Sequence, residues 1–495
     1  MDALYVGLQN VFSLQGILLM MTGTVLGITV GAIPGLTGAM LIALTLPLTF
    51  SMDAPNAFIL LMGMYVGAIS GGLITATLLR MPGTPASIMT TLDGYPMAKS
   101  GKPGRALGLG ITASFVGGLI SWCFLILLSK PIASISTKLG PFEFFTLVLL
   151  ALVLIASIGG NSMSKAFFSA FLGILTTMPG MNLSTGELRM TFGWEELNGG
   201  LGLLPVLIGL FAISQIVKDI TRIEEKVNVI PVTKRSEMLF SMNDWKVQMG
   251  NLFRSSSLGT LIGLLPGIGP NIGSVTAYTA AKSMATPEEK AKFGKGSEIA
   301  ICAAEAANNA TIGGSLIPMI SLGIPGQVID AILLGALIIH GLQPGPLLYE
   351  QNPSMVYTIM ITLFIANIFM FFFMIYSVKH LAKIVTVPRS LMMPVILVFC
   401  IIGAYAMSTR LFDVWTMLFF GLVGFVLEKV KVPLAPFVIG YILAPIAEEN
   451  LMRGLMSSNG SFMPILTRPV SLIFLLIAVV LLVIPLYKRY KRTAA

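Results

Sequence analysis

Charge is scarce in this chain. Asp, Glu, Lys and Arg make up 11% of its 495 residues against 55% hydrophobic, and the mean hydropathy is +0.88. So few charges cannot surface a soluble domain of this length, which leaves an all-α polytopic membrane protein. Histidine occurs only as His340 and His380, too little for a histidine-built metal centre. Cys123, Cys302 and Cys400 lie far apart in apolar runs, so neither a disulfide framework nor a thiolate metal site is expected. No phosphate loop of the GxxxxGKS or GxxxxGKT form occurs, and no Cys lies near either His to make a nucleophile–base pair. No cofactor and no enzymatic role are therefore expected. The net charge of +9 comes from Lys and Arg in short loops between apolar runs, as orientation in a membrane requires. That distribution points to no nucleic-acid partner. Met1 and Asp2 open the chain without the basic stretch of a signal peptide, so the N-terminus is expected to be retained.

What the chain does contain is written twice. GITVGAIPGLTGAM, from Gly27 to Met40, returns as GTLIGLLPGIGPNIGS, from Gly259 to Ser274. Gly27, Gly31, Pro34 and Gly35 match Gly259, Gly263, Pro266 and Gly267 at one spacing. In each copy Gly at i and i+4 lets a second helix approach closely in lipid. Pro-Gly then removes a backbone donor and permits positive φ, so the helix should break. A lone motif of this kind reads as a kink in a packed helix. Its duplication points instead to the interrupted midplane site of a secondary transporter, because broken backbone at membrane depth must be buried or line a cavity. A second pair follows: Pro82-Gly83 and Pro325-Gly326, preceded by Gly71-Gly72 and Gly313-Gly314.

A spanning helix needs about 20 apolar residues. Phe12–Ile33 and Phe58–Leu79 qualify, while Leu36–Leu46 and Thr84–Leu92 after their breaks read as half-helices. A polar loop from Asp93 to Ala106 carries Lys99, Lys102 and Arg105 and is expected inside. Runs at Leu107–Leu128, Phe144–Ile158, Ala166–Met178 and Leu201–Val217 lead to a polar stretch rich in both signs. The second half holds Ser255–Leu265, Ile268–Ala285, Glu298–Leu322, Met355–Ile375, Leu391–Met407, Leu411–Leu427, Pro433–Ala447 and Pro469–Tyr487. Its loop HGLQPGPLLYEQNP, the counterpart of the basic Asp93–Ala106 stretch, has no Lys or Arg. Placing basic loops inside therefore puts these two equivalent loops on opposite sides, and the halves become inverted repeats. The expected layout is a first repeat at 1–217, a cytoplasmic linker at 218–254, a second repeat at 255–468, and an extra helix with a basic cytoplasmic tail at 469–495. Pro-Gly-broken helices or re-entrant hairpins would accompany about 10–12 membrane segments.

A half-helix beginning after Pro-Gly presents unpaired N–H groups and a positive dipole end, which suits a carboxylate. The candidate substrate residues are Pro34, Gly35, Thr37 and Gly38, then Pro82, Gly83, Thr84 and Ser87, then Pro266, Gly267, Asn271 and Ser274, with Pro325 and Gly326. In CAAEAANNATIGG, Glu305, Asn308 and Asn309 share a helical face, and with Thr311 they make a hard-oxygen set for a coupling cation or proton. The alternative for Glu305 is a solvated position near the helix start. Arg80 is expected to snorkel to the interface, and Glu143, Arg410 and Asp413 to be end-of-helix charges.

With these motifs assembled, the chain resembles the large membrane subunit of the tripartite tricarboxylate transporter family. The resemblance rests on GITVGAIPGLTGAM, SGGLITATLLRMPGTPAS, LDGYPMAKSGKPGRALG, TGELRMTFGWEELNGGLGLLPVLIGLFAISQIV, GLLPGIGPNIGS, FGKGSEIAICAAEAANNATIGGSLIPMISLGIPG and HGLQPGPLLYE, in the family's order. One departure is Ala304, where the family usually has Pro. The resemblance implies a multi-pass protein of the bacterial inner membrane, importing a carboxylate on a sodium or proton gradient. It also implies a small membrane subunit and a periplasmic substrate-binding protein as partners. A stand-alone organic-anion symporter or channel is the alternative.

Overall fold

The computed structural model describes residues 2–158, 162–182, 185–220, 230–231, 236–267, 269–384 and 389–493. Much of the expected linker (221–229 and 232–235), Ile268 and the side chains of Arg389, Lys488, Arg489, Lys491 and Arg492 lie outside what is described. The first half runs through α1 (Asp2–Phe12), α2 (Leu14–Gly31), α3 (Gly38–Thr49), α4 (Ala54–Leu79), α5 (Ile88–Lys99), α6 (Pro103–Ser136), α7 (Pro141–Ile158) and α8 (Met163–Thr176). A two-strand ribbon pairing Gly180 with Arg189 precedes α9 (Leu203–Ile208), a π turn at Gly209–Ile213 and α10 (Ser214–Ile220). The second half runs through α11 (Met242–Gly263), α12 (Gly269–Met284), the short α13 (Pro287–Lys290), α14 (Glu298–Leu322), α15 (Val328–Ile339), the short α16 (Pro346–Gln351) and α17 (Pro353–Ile384). It closes with α18 (Arg389–Ser408), α19 (Leu411–Lys429), α20 (Leu434–Ser457), the short α21 (Met463–Thr467) and α22 (Pro469–Thr493).

Among the described residues, seven helices are long and apolar enough to cross a membrane. Large apolar side chains stand exposed along α18, α19 and α22, including Val398, Phe399, Trp415, Phe419, Leu476 and Val480. In water such faces would aggregate; in hydrocarbon they are the lipid-facing surface. The protein is an all-α polytopic membrane protein. At its centre, every residue of α4 from Ala57 to Leu78 is buried, and so is every residue of α14 from Ala300 to Ser321.

Glycine sets how α4 and α14 are gripped. Gly23, Gly27 and Gly31 of α2 lie against the backbone of Leu60, Met64 and Ala68. The contacts advance together, so α2 and α4 run parallel. Gly259 and Gly263 of α11 lie in the same way against Ala307 and Thr311 of α14. Leu60, six residues into α4, already lies beside Gly23, so α4 starts beside the N-terminal turns of α2 and the intervening α3 must run back along it. The first Pro-Gly motif is therefore the tip of a hairpin. The third makes another: Ser274 of α12 meets Ala304 and Tyr278 packs on Phe293, so α12 descends as α14 rises. Across the two halves Tyr65 meets Ser315 and Ser70 meets Asn309, so α4 and α14 run antiparallel.

The polar stretch from Asp93 to Ala106 is not a solvated loop. α5 continues to Lys99, α6 starts at Pro103, and Asp93 is fully buried. Its Oδ1 accepts N–H bonds from Gly294 (2.9 Å), Gly296 (3.0 Å) and Ser297 (2.7 Å), and its Oδ2 accepts the Tyr278 hydroxyl at 2.8 Å. The carboxylate makes the stretch look hydrophilic, yet it is consumed in holding the loop that leads into α14, whose N-cap is Ser297. α11 starts inside the expected linker, at Met242, and continues from polar sequence into the bundle without interruption. Ser241 and Asp244 form its capping box, and Met238 packs against Gly108 of α6.

Candidate functional site

All four Pro-Gly motifs leave the helical path. At the first, Gly35 has φ +95°, a backbone that side-chain-bearing residues rarely adopt. Thr37 caps α3 by accepting the Met40 N–H at 3.1 Å, and Gly38 packs on Ala68 and Ile329. Gln215 and Asp219 of α10 close over Gly35, joined by a 3.0 Å hydrogen bond and placed one turn beyond the π turn of that helix. At the third motif Gly267 has φ +77°, and its N–H bonds the Gly326 carbonyl at 2.7 Å. Pro266 is partly covered there, and Asn271 is exposed.

The second and fourth motifs fold back on their own helices. Gly83 sits on the Gly31 carbonyl and against Gly72, while Pro82 is exposed. Thr84 and Ser87 are buried, and the Ser87 hydroxyl donates to the Thr84 carbonyl at 2.8 Å. Pro325 and Gly326 are buried, with Gly326 on the Gly263 carbonyl and against Ser315. The glycine of each second break thus rests on the helix that carries the first break of the same half. The motifs of each half meet.

Two buried polar junctions join the halves. In the first, Glu305 is fully buried and receives Ser114 of α6 at 3.2 Å, Asn308 at 3.4 Å and the Thr90 hydroxyl of α5. The helix begins seven residues earlier, at Glu298, so the solvated alternative for Glu305 is overturned; Ala304 continues the helix. Asn308 Oδ1 is buried without a hydrogen-bond partner, an uncommon and costly state that leaves an acceptor open to a cation. Asn309 turns the other way, accepting Ser70 of α4 at 2.7 Å, and Thr311 donates to the Asn308 carbonyl at 2.7 Å. The expected four-residue cluster is thus divided: Glu305 and Asn308 share one junction, while Asn309 ties α14 to α4.

The second junction was not foreseen from the sequence. Asp330, in the first turn of α15, is fully buried and accepts Tyr65 of α4 at 2.9 Å and the Gln327 N–H at 3.0 Å. Gln327 also donates to Ser315 at 3.0 Å and to the Tyr65 hydroxyl oxygen. A signal for Asp330 was present: an acid two residues into the apolar run VIDAILLGALII, directly after a Pro-Gly break.

Outside the core, Arg105 binds Asp244 (2.6 Å) and Glu298 (2.7 Å), tying α6, α11 and α14 together. Arg80 is exposed beside the Tyr95 ring, as a snorkelling residue would be. Glu143 pairs with Arg468 and Asp413 with Arg410, each at a helix end. A cavity of about 280 Å³ lies apart from every break. Thr177, Asn182, Arg189, Tyr441 and Glu448 border it, and the Glu448 carboxylate pushes the Arg189 guanidinium above its usual range. No group of three or more His, Cys, Asp or Glu suited to a metal ion occurs among the described residues.

These features define a polytopic membrane protein organised around interrupted helices, with one buried acid, Asp330, just past a break and another, Glu305, inside α14. Residues 17–439 match the Tripartite tricarboxylate transporter TctA family, and the chain belongs to that family. It is accordingly a membrane subunit of a tricarboxylate transporter of the tripartite class. Over 484 residues it is 32% identical to an uncharacterised 52.8 kDa protein of the TAR-I ttuC' 3' region of Agrobacterium vitis, covering 98% of this chain and 95% of that one. A protein of the TAR-II ttuC' 3' region in the same organism is 32% identical over 230 residues, 46% of this chain and 94% of its own. No solved structure matches the chain.

Proposed function

We propose that this subunit carries a tricarboxylate or related organic acid into the cell by secondary active transport. A sodium or proton gradient drives it, and a periplasmic binding protein and a small membrane subunit work with it in the bacterial inner membrane. The observation that carries this reading is the meeting of paired Pro-Gly breaks beside the antiparallel crossing of α4 and α14. Freed N–H groups and the helix N-termini beyond the breaks offer partial positive charge to a carboxylate. Gly35, Thr37 and Gly38, Gly83, Thr84 and Ser87, Gly267 and Ser274, and Gly326 form the substrate surface in this reading. Glu305 and the spare Asn308 Oδ1 take the coupling ion, with Asn309 and Thr311 fixing the helix around them.

The antiparallel pairing of two repeat-equivalent helices supports inverted repeats at 1–217 and 255–468, with the 218–254 linker and the C-terminus in the cytoplasm. Vesicles carrying this chain, its small partner and its binding protein should accumulate labelled citrate or another small carboxylate above equilibrium. Equilibration alone would mean a channel, and no uptake of any acid under either gradient would refute the reading. Cysteines placed at Lys99 and Gln343 should label from opposite sides; labelling from one side rules out the inversion.

A further inference from the structure

We propose that Asp330 is a proton-carrying site, separate from the coupling-ion junction at Glu305. Its purpose rests on the transport reading above, but its chemistry does not. The two buried acids sit in opposite arrangements. At Glu305 the long helix α14 supplies the acid and α5 of the other half supplies the Thr90 hydroxyl. At Asp330 the shorter α15 supplies the acid and the long helix α4 of the other half supplies the Tyr65 hydroxyl.

The hydrogen bonds separate the ligands each can take. Around Glu305 a carbonyl oxygen, Asn308 Oδ1, is unspent. Around Asp330 the network is closed. Tyr65 and the Gln327 N–H engage the two carboxylate oxygens, Gln327 Nε2 donates to both hydroxyl oxygens, and Ser315 donates to the Ile312 carbonyl at 3.2 Å. Every side-chain oxygen here already carries a donor, so a sodium ion would have to share its ligands with N–H and O–H groups aimed at the same atoms, whereas Asn308 Oδ1 carries none. A proton needs no such sharing. It adds to Asp330 Oδ1, and the new carboxyl O–H donates to the Tyr65 oxygen. Tyr65 then turns its own O–H toward Ser315 Oγ, already 3.2 Å away. One proton enters, one buried negative charge is neutralised, and no heavy atom moves. Release runs the same steps backward.

Among the described residues, no second charged side chain is bonded into this junction. α4 brings only Tyr65; α3, α9 and the rest of α15 have no titratable side chain. On α14 the acids are Glu305 and Glu298, ten and seventeen residues before Ser315. On α20, Tyr441 is bonded to the Leu201 carbonyl, Glu448 to Arg189 and Glu449 to Arg453.

Infrared difference spectra of the purified chain in lipid nanodiscs, taken across a pH titration, test this without any transported acid. The wild type should show the carbonyl stretch of a protonated buried carboxyl. Asp330→Asn should lose that band, Glu305→Gln should keep it, and Tyr65→Phe should shift both its frequency and its midpoint. If Asp330→Asn does not fold, Asp330→Glu should retain the band at a moved midpoint. Spectra of Asp330→Asn that superimpose on the wild type, or an unmoved band in Asp330→Glu, overturn the assignment. A chain whose Asp330 titrates as described but which accumulates no carboxylate would refute the transport reading and leave this site standing.

Discussion

α4 and α14 are the same device built from different side chains. Each is a wholly buried helix gripped by a glycine-faced neighbour, and each ends in a left-handed cap, Arg80 at φ 59° and Gly323 at φ 71°. Each then folds back so that a glycine lands on a neighbouring carbonyl, Gly83 on Gly31 and Gly326 on Gly263. The polar chemistry is exchanged: α14 carries an acid that faces hydroxyls, and α4 carries a hydroxyl that faces an acid. The repeated unit is thus a backbone interruption, and the side chains that make it selective are free to differ.

The largest test of that likeness is at the hairpin tips. Gly35→Val and Gly267→Val should each abolish uptake, because a β-branched residue at positive φ costs roughly 1–3 kcal/mol of strain. Gly267→Val should also melt earlier, since its Cβ would collide with Ile155, whereas Gly35 faces the ends of Gln215 and Asp219. Thermal unfolding and uptake of both variants decide this, and wild-type uptake in the pair would remove the breaks from the site. Next comes the acid on α14. Glu305→Ala strands the buried donors of Thr90, Ser114 and Asn308, at about 1–3 kcal/mol for each group left unpaired. Glu305→Gln keeps the shape but should change the sodium and pH dependence of uptake; an unaltered profile in flux assays would exclude it from ion coupling.

At the end of the bundle the halves are unlike, because only α14 has the Arg105 clasp. Arg105→Ala should cost about 1.5–3 kcal/mol, less where solvent screens the ions. The hydrogen-bonded guanidinium holds the Asp244 carboxyl well below the usual carboxylate range, so its stabilisation is full above that range and is lost as pH falls from there down through the depressed value. Melting curves against pH should show an acid-side loss in the wild type that is blunted in Arg105→Ala. The smallest effect is at the caps: Arg80→Gly should make the second break resemble the fourth and gain about 1 kcal/mol, read as a higher melting temperature.

Interruption was easier to read from the sequence than chemistry. Pro-Gly breaks a helix for reasons local to two residues, and α14 ends at the predicted Leu322. Glu305 stood out as an acid in an apolar run, but its separation from Asn309 depends on which neighbour each helical face meets. Asp93 was hidden for the opposite reason. Among Tyr, Lys, Ser and Gly it looked solvated, and only the fold brings Gly294, Gly296 and Ser297 to its carboxylate. Gln215 and Asp219 reach the first break from α10, a contact set by tertiary packing that no local pattern encodes.

The clasp at Asp93 gives α14 the properties of a shared shaft. Both junctions draw on this one helix, Glu305 and Ser315 standing ten residues apart, roughly 15 Å at helical rise. If α14 slid one turn against α4, the stroke would pull Ser315 from Tyr65 and Asn309 from Ser70, while the Asp93 clasp would carry α5, and with it Thr90, along with Glu305. In the transport reading proposed above, such a stroke would open the Asp330 junction, where Tyr65 and Ser315 part, while the Glu305 junction moved as a unit.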